Sequence, residues 1–131
     1  MPFAPVVMDG FESIPFHCYK SKYASQFMTI CYNVKDEWVH KIPGVINKFD
    51  NTSRIQIVKE NNKPFFPILL EFNDITGIPV LMNTSFNVHG EPIINTSIEA
   101  FKHLIDGVVD LLIVNESVYE VSSQNTSIFD T

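Results

Sequence analysis

Asn83, Thr84, Ser85 and Asn87 set amide and hydroxyl groups almost side by side, directly after the apolar run 78–81. Such groups donate to phosphate oxygens without adding positive charge, and Gly90 just beyond them lets a backbone come close to a ligand. A polar loop at the carboxyl end of a parallel-type strand also occupies the place where α/β folds bind ligands. The same residue types suit a second reading, a loop that satisfies its own backbone groups. His89 donates to an anion when protonated, or stands solvated in the loop. Glu91 caps or shapes the turn rather than acting as an acid or base. Arg54 is the one arginine among nine basic residues, so a planar, two-pronged grip on phosphate or carboxylate can come from no other side chain of this sequence. Its alternative is a strand-end arginine paired with an acidic neighbour.

The tripeptide Asn-Thr-Ser occurs at 51–53, 83–85, 95–97 and 125–127. As glycan acceptors these copies would need a secreted chain. The amino terminus has no positive region followed by an apolar stretch of signal-peptide length, and no apolar run approaches a membrane span, so a cytoplasmic protein is expected. Cys18 and Cys31 have no metal-ligand spacing and are expected as reduced thiols, and His17, His40 and His103 likewise show no ligand spacing. A net charge of −6 speaks against broad nucleic-acid or anionic-membrane surfaces.

The elements that must position these residues follow from punctuation and period. With 131 residues and 45% hydrophobic content the chain fits one globular domain, expected over 1–121 with a polar tail at 122–131. Residues 26–34 read as a strand, 35–41 as a short helical turn broken by Pro43-Gly44, and 44–58 as two short strands joined by Asp50-Asn51-Thr52-Ser53, with Arg54 opening the second. From Pro64 the spacing of Phe65, Phe66, Leu69, Leu70, Phe72 and Ile75 predicts a helix with one broad apolar face, stopped by Gly77 and Pro79. Residues 78–82 then read as a strand buried on both faces, as in a parallel sheet. Thr96 with Glu99 forms a capping-box pattern opening a second helix whose apolar face is Ile98, Phe101, Leu104 and Ile105, ended by Gly107. Residues 108–115 read as another buried strand and 117–121 as an edge strand. The fold class expected is α/β (α+β), a mixed, partly parallel twisted sheet with two main helices.

Several of these segments resemble one family, in order. T-G-I-P-V-L-M-N-T-S-F-N-V-H-G-E-P-I at 76–93 is similar to the carboxyl-terminal signature T-G-x-P-V-L-x-N-T-S-F-N-x-x-G-E-P-I of the O-carbamoyltransferases of nodulation and antibiotic modification. Asp50-Asn51-Thr52-Ser53-Arg54-Ile55-Gln56-Ile57-Val58 resembles its D-G-T-A-R-x-Q-x-V, Pro2-Phe3-Ala4-Pro5-Val6-Val7 its R-P-F-A-P-S-V, with Met1 where the arginine would stand, and Phe27-Met28 its short F-M or Y-M element. The resemblance covers roughly residues 2–119. It implies part of a YrdC-like domain that makes carbamoyl-adenylate from carbamoyl phosphate and ATP with Mg²⁺. An amino-terminal, metal-binding domain of the actin-like ATPase class would then transfer the carbamoyl group to a hydroxyl acceptor. That domain's metal is not expected in this chain, which would need the domain as partner in cis or in trans and is expected to be inactive alone. Arg54 would contact a phosphate or carbamoyl group. Asn83, Thr84, Ser85, Asn87 and His89 would line the pocket, with Gly90 and Glu91 shaping its wall. His89 stands where many members carry arginine. The alternative is a non-catalytic remnant, a self-associating or partner-binding α/β module whose apolar surface makes it a homo-oligomer.

Overall fold

The strand β1, Ala4–Met8, is buried along its whole length and organises the first part of the chain. A computed structural model describes residues 2–18 and 22–122. The chain divides into two compact units, Met1–Thr84 and Ser85–Thr131, and the fourth Asn-Thr-Ser copy lies outside the described residues, as does the expected tail beyond residue 122.

In the first unit β1 pairs in parallel with β4 (Gln56–Val58) and antiparallel with β5 (Val80–Asn83), giving a mixed sheet in the order β4-β1-β5. Pro5 stands ahead of the β4 pairing, which begins at Val6 opposite Gln56, so its missing N–H interrupts no ladder on that side. Alternation sends successive residues to opposite faces. Val7, Ile57 and Val80 enter the larger core with Phe16, Tyr32, Trp38, Val45 and Ile55. Val6, Met8 and Val58 face the other way and pack on Leu69, with Leu81 beside them. Leu69 belongs to the helix α2, Phe65–Thr76, which ends as expected at Gly77 in the left-handed conformation. The broad apolar face predicted for α2 is not buried as a whole: Leu69 is fully covered, whereas Ile75 is 75% exposed. One helix over a three-stranded sheet meets it along a narrow stripe.

The strand read at 26–34 is shorter in the fold. Met28 adopts φ 56° and the Thr29 hydroxyl donates to the Ala24 carbonyl at 2.7 Å, so residues before Cys31 turn after the short helix α1 (Lys22–Ser25). The strand β2, Cys31–Asn33, pairs antiparallel with β3, Thr52–Arg54, through Cys31 opposite Arg54. Residues 36–38 and 43–45 form single 3₁₀ turns, the second started rather than prevented by Pro43. Asn51, at φ 52°, lies in the turn before β3, where Asp50 Oδ1 accepts from both the backbone and the hydroxyl of Thr52 at 3.1 and 2.8 Å. Thr52 and Ser53 belong to the strand instead, and Arg54 closes β3 rather than opening β4. The run 78–82, expected in a parallel sheet and buried on both sides, contributes instead to the antiparallel edge strand β5, whose side chains range from buried Val80 to Met82 at 52% exposure.

Near the end of β1 the Glu12 carboxylate is buried, yet accepts from Gly10 N at 2.6 Å and faces Lys22 Nζ at 2.5 Å. Lys22 also reaches Asp9 at 3.0 Å, and bonding to Glu12 first and Asp9 second holds its ammonium charged well above the usual lysine range. A buried charge kept in this way has its partners in place.

The second unit carries α3, Ser97–Ile105, and the hairpin of β6 (Leu112–Val114) and β7 (Ser117–Tyr119). The capping box is complete: the Thr96 hydroxyl accepts from Glu99 N at 3.2 Å and the Glu99 carboxylate accepts from Thr96 N at 3.0 Å. Three donors, led by the Asn95 backbone N–H, hold Glu99 below the usual carboxylate range. Ala100, Leu104 and Leu112 form the core, with Phe86, Ile94 and Phe101 against it. Ile98 and Ile105, expected on that face, are 81% and 71% exposed, since the buried stripe runs through Ala100 and Leu104 instead. The strand expected over 108–115 contracts to β6, losing 108–111, and Asn115, at φ 56°, turns its end directly into β7.

The outcome is the expected class, a mixed, partly parallel α/β fold with two main helices, α2 and α3.

Candidate functional site

Arg54 and Asn83 are in the first unit, and register relates them. Gln56 lies opposite Val6 and Asn83 opposite Ala4, and by strand alternation Gln56, Ala4 and Asn83 share the sheet face that α2 covers farther along, at Val6, Met8, Val58 and Leu81. The half-buried pair Asn83 and Gln56 is joined: Asn83 Nδ2 donates to Gln56 Oε1 at 2.7 Å. Arg54, two residues before Gln56 along the same extended run, is exposed and makes no ion pair among the described residues. The alternative of an arginine tied to an acidic neighbour is therefore not what the fold shows. Because β5 runs antiparallel, the carboxyl end at Asn83 meets the amino ends of β1 and β4, not a row of strand carboxyl ends. Thr84 follows, exposed.

Ser85, Asn87, His89, Gly90 and Glu91 are in the second unit. There Asn87 holds the loop: Nδ2 donates to the carbonyls of Val88 at 3.0 Å and Glu91 at 2.9 Å, and Oδ1 accepts from the Ser85 hydroxyl. Glu91 N returns to the Val88 carbonyl at 3.0 Å, closing the turn, and Gly90 within it has φ 87° with open space where a Cβ would stand. Gly90 is thus required by backbone conformation, while close approach to a neighbour plays no part. His89 is exposed. The Glu91 backbone shapes the turn, and the residue lines a groove of about 310 Å³ with Ile94, Glu99, Lys102 and His103.

Two residues were passed over in the sequence. Gln56 is one; the alternation Ser53, Ile55, Ile57 into the core marks Arg54 and Gln56 as sharing the opposite side, a signal present in the letters. His103 is the other. Its Nδ1 lies 2.9 Å from the Glu99 carbonyl, its ring meets Phe86 edge-on at 5.6 Å, and Nε2 is buried with no hydrogen-bond partner among the described residues. It therefore anchors Phe86, in the middle of the signature loop. Among the described residues no cluster of His, Cys, Asp or Glu could hold a metal ion, and no helix is long and apolar enough to cross a membrane.

The fold and these positions describe a mixed-sheet α/β domain in which one free cation and a neutral amide pair share a strand run and its neighbour. The chain belongs to the family described as carbamoyltransferase C-terminus, whose model matches residues 1–120. It is 38% identical over 115 residues to an uncharacterized protein of Methanocaldococcus jannaschii, covering 87% of this chain and 22% of that one. Nodulation protein NolNO of Sinorhizobium fredii is 31% identical over 114 residues, 86% of this chain and 17% of the relative. Nodulation protein NolO of Bradyrhizobium diazoefficiens is 30% identical over 114 residues, 86% and 21%. The chain spans about a fifth of the length of these relatives.

Proposed function

We propose that this chain supplies the part of an O-carbamoyltransferase, in a YrdC-like domain, that binds carbamoyl phosphate and ATP for carbamoyl-adenylate formation. The rest of the longer protein carries the transfer to a hydroxyl acceptor. The observation that carries this reading is Arg54: the lone arginine is exposed, makes no ion pair among the described residues, and stands in a segment matching the family, and so can take an external anion. Adenylation asks for no protein nucleophile. It asks that the charge of two phosphorylated reactants be neutralised and their reacting atoms be held in line. Arg54 offers a two-pronged cation, and Asn83 at the end of β5, with Thr84 after it, offers neutral groups on the strand that flanks β1 on the side away from β4. In the other unit Asn87 acts as a positioning residue, since both its amide hydrogens are already spent on loop carbonyls. With no metal-holding cluster among the described residues, Mg²⁺ would enter on the nucleotide's own phosphates and needs no ligand from these residues.

Isothermal titration with carbamoyl phosphate and with ATP·Mg²⁺ tests the reading, on the chain alone and together with the remaining part of a longer relative. Heat that Arg54→Ala weakens by at least tenfold is expected, the size of one charge-assisted bond. No heat in either preparation would end the proposal. A second reading, a self-associating or partner-binding module, draws on the exposed apolar side chains of α2, Phe65, Ile68, Leu70 and Ile75. Sedimentation showing a monomer at all concentrations, with nucleotide still bound, would dismiss it.

A further inference from the structure

We propose that Gln56 and Asn83 form a subsite for the amide end of the substrate, reading a carbamoyl group rather than its phosphate; this rests on the binding function proposed above. The pair is built into the sheet. Gln56 in β4 and Asn83 in β5 flank β1, stand on one face, and are joined at 2.7 Å. Between them on that face β1 presents Ala4, opposite Asn83, and Val6, opposite Gln56.

Counting donors and acceptors shows what the pair still offers. Asn83 Nδ2 gives one hydrogen to Gln56 Oε1, which leaves Asn83 Oδ1 as an acceptor and the Gln56 amide nitrogen with two hydrogens. Neither side chain has another hydrogen bond among the described residues, both residues are half-buried, and neither Asn83 Oδ1 nor Gln56 Nε2 is a buried atom without a partner. An open acceptor and an open donor on one joined pair are what a carboxamide pairs with: the H₂N of a carbamoyl group donates to Asn83 Oδ1 while its C=O accepts from Gln56 Nε2. Both protein groups are neutral, so they bring no positive charge to the phosphate, which Arg54 supplies. A division of labour follows, with charge recognised by the arginine and amide identity by the pair two residues along the same run.

Acetyl phosphate tests the idea, because it keeps the phosphate and replaces the amino group by a methyl that cannot donate. A site built to bond an N–H disfavours the analogue lacking it, since its acceptor is left unpaired. For a half-buried hydrogen bond the expected preference for carbamoyl over acetyl phosphate is about tenfold by titration calorimetry. Asn83→Leu, which removes the acceptor for the amino group, should bring the ratio close to one, mainly by weakening carbamoyl phosphate, whereas Gln56→Met removes a donor to the C=O that both compounds carry and should weaken both alike; circular dichroism melting confirms that the variants fold, and Asn83→Ala, which removes the same acceptor with less bulk, gives a second route to the same ratio. A protein that binds both phosphates equally well, or an Asn83→Leu variant that weakens both in parallel, would overturn the subsite while leaving the proposed function standing. Binding of neither compound by the unaltered protein would remove both.

Discussion

Asn87→Asp is the sharpest perturbation of the signature loop, because it changes one NH₂ to an oxygen and nothing in size. In the folded chain that NH₂ bonds two carbonyls, at Val88 and Glu91, while the other end of the amide accepts from Ser85. The aspartate keeps the Ser85 contact and turns both carbonyl contacts into repulsions. Each lost bond at a partly exposed site is worth roughly 0.5–1 kcal/mol net, so the turn loses about 1.5 kcal/mol, or a little over tenfold in its opening equilibrium. The amides that report it are Glu91 N, bonded to Val88, and Ile94 N, bonded to Phe86 at 3.1 Å. Hydrogen exchange followed by NMR should show both exchanging about tenfold faster, with the amides of α2 unchanged. Equal exchange at Glu91 and Ile94 in the variant would refute the view that Asn87 holds the loop, and would return it to the role of a direct ligand contact.

Other outcomes follow from the packing and the charges. Leu69→Ala empties the centre of the smaller sheet face and should cost about 3 kcal/mol in a urea titration, against under 0.5 kcal/mol for Ile75→Ala, whose side chain is largely in water. Thr96→Ala removes the α3 cap and should cost about 1 kcal/mol. Because Glu99 is held below its ordinary range, its contribution is complete above about pH 4.3 and is lost as the pH falls through the lower folded value. The urea midpoint of Glu99→Gln should accordingly be less acid-sensitive in that window. Burial, then the Glu12 charge, push the Cys18 thiol up from 9.0 to about 11, so near neutral pH it should alkylate roughly a hundredfold more slowly than an unperturbed thiol, with the exposed Cys31 labelled first in a mass-spectrometric time course.

The parts of the fold legible in the sequence were those that chemistry settles within a few residues. Gly77 stops α2 because its φ of 70° suits glycine, and Thr96 and Glu99 announce α3 because each bonds the other's backbone. Pairing was not legible. The apolar letters of 80–83 are equally good in a central parallel strand or an antiparallel edge, and only the arrival of β1, far away in sequence, decides. The face of a helix that becomes buried was misread for the same reason, since Leu69 and Ile75 differ in what lies opposite and not in hydrophobicity. Of the candidate site, Arg54 and Asn83 could be singled out by scarcity and position, but their shared neighbour Gln56 emerges only when β4 and β5 are seen to flank β1.

The extended run from Thr52 to Val58 serves two sheets, pairing with β2 as far as Arg54 and with β1 from Gln56 onward, and the change of partner falls at Ile55, which is fully buried. Ile55 is thus a fulcrum with a cation on one arm and an amide on the other. Its side chain never meets solvent, yet its fit in the core fixes the angle between the two. Trimming a methyl group there would alter no polar atom and still change how well a two-ended molecule spans both arms, so in this chain the tuning of recognition is a property of the hydrophobic core.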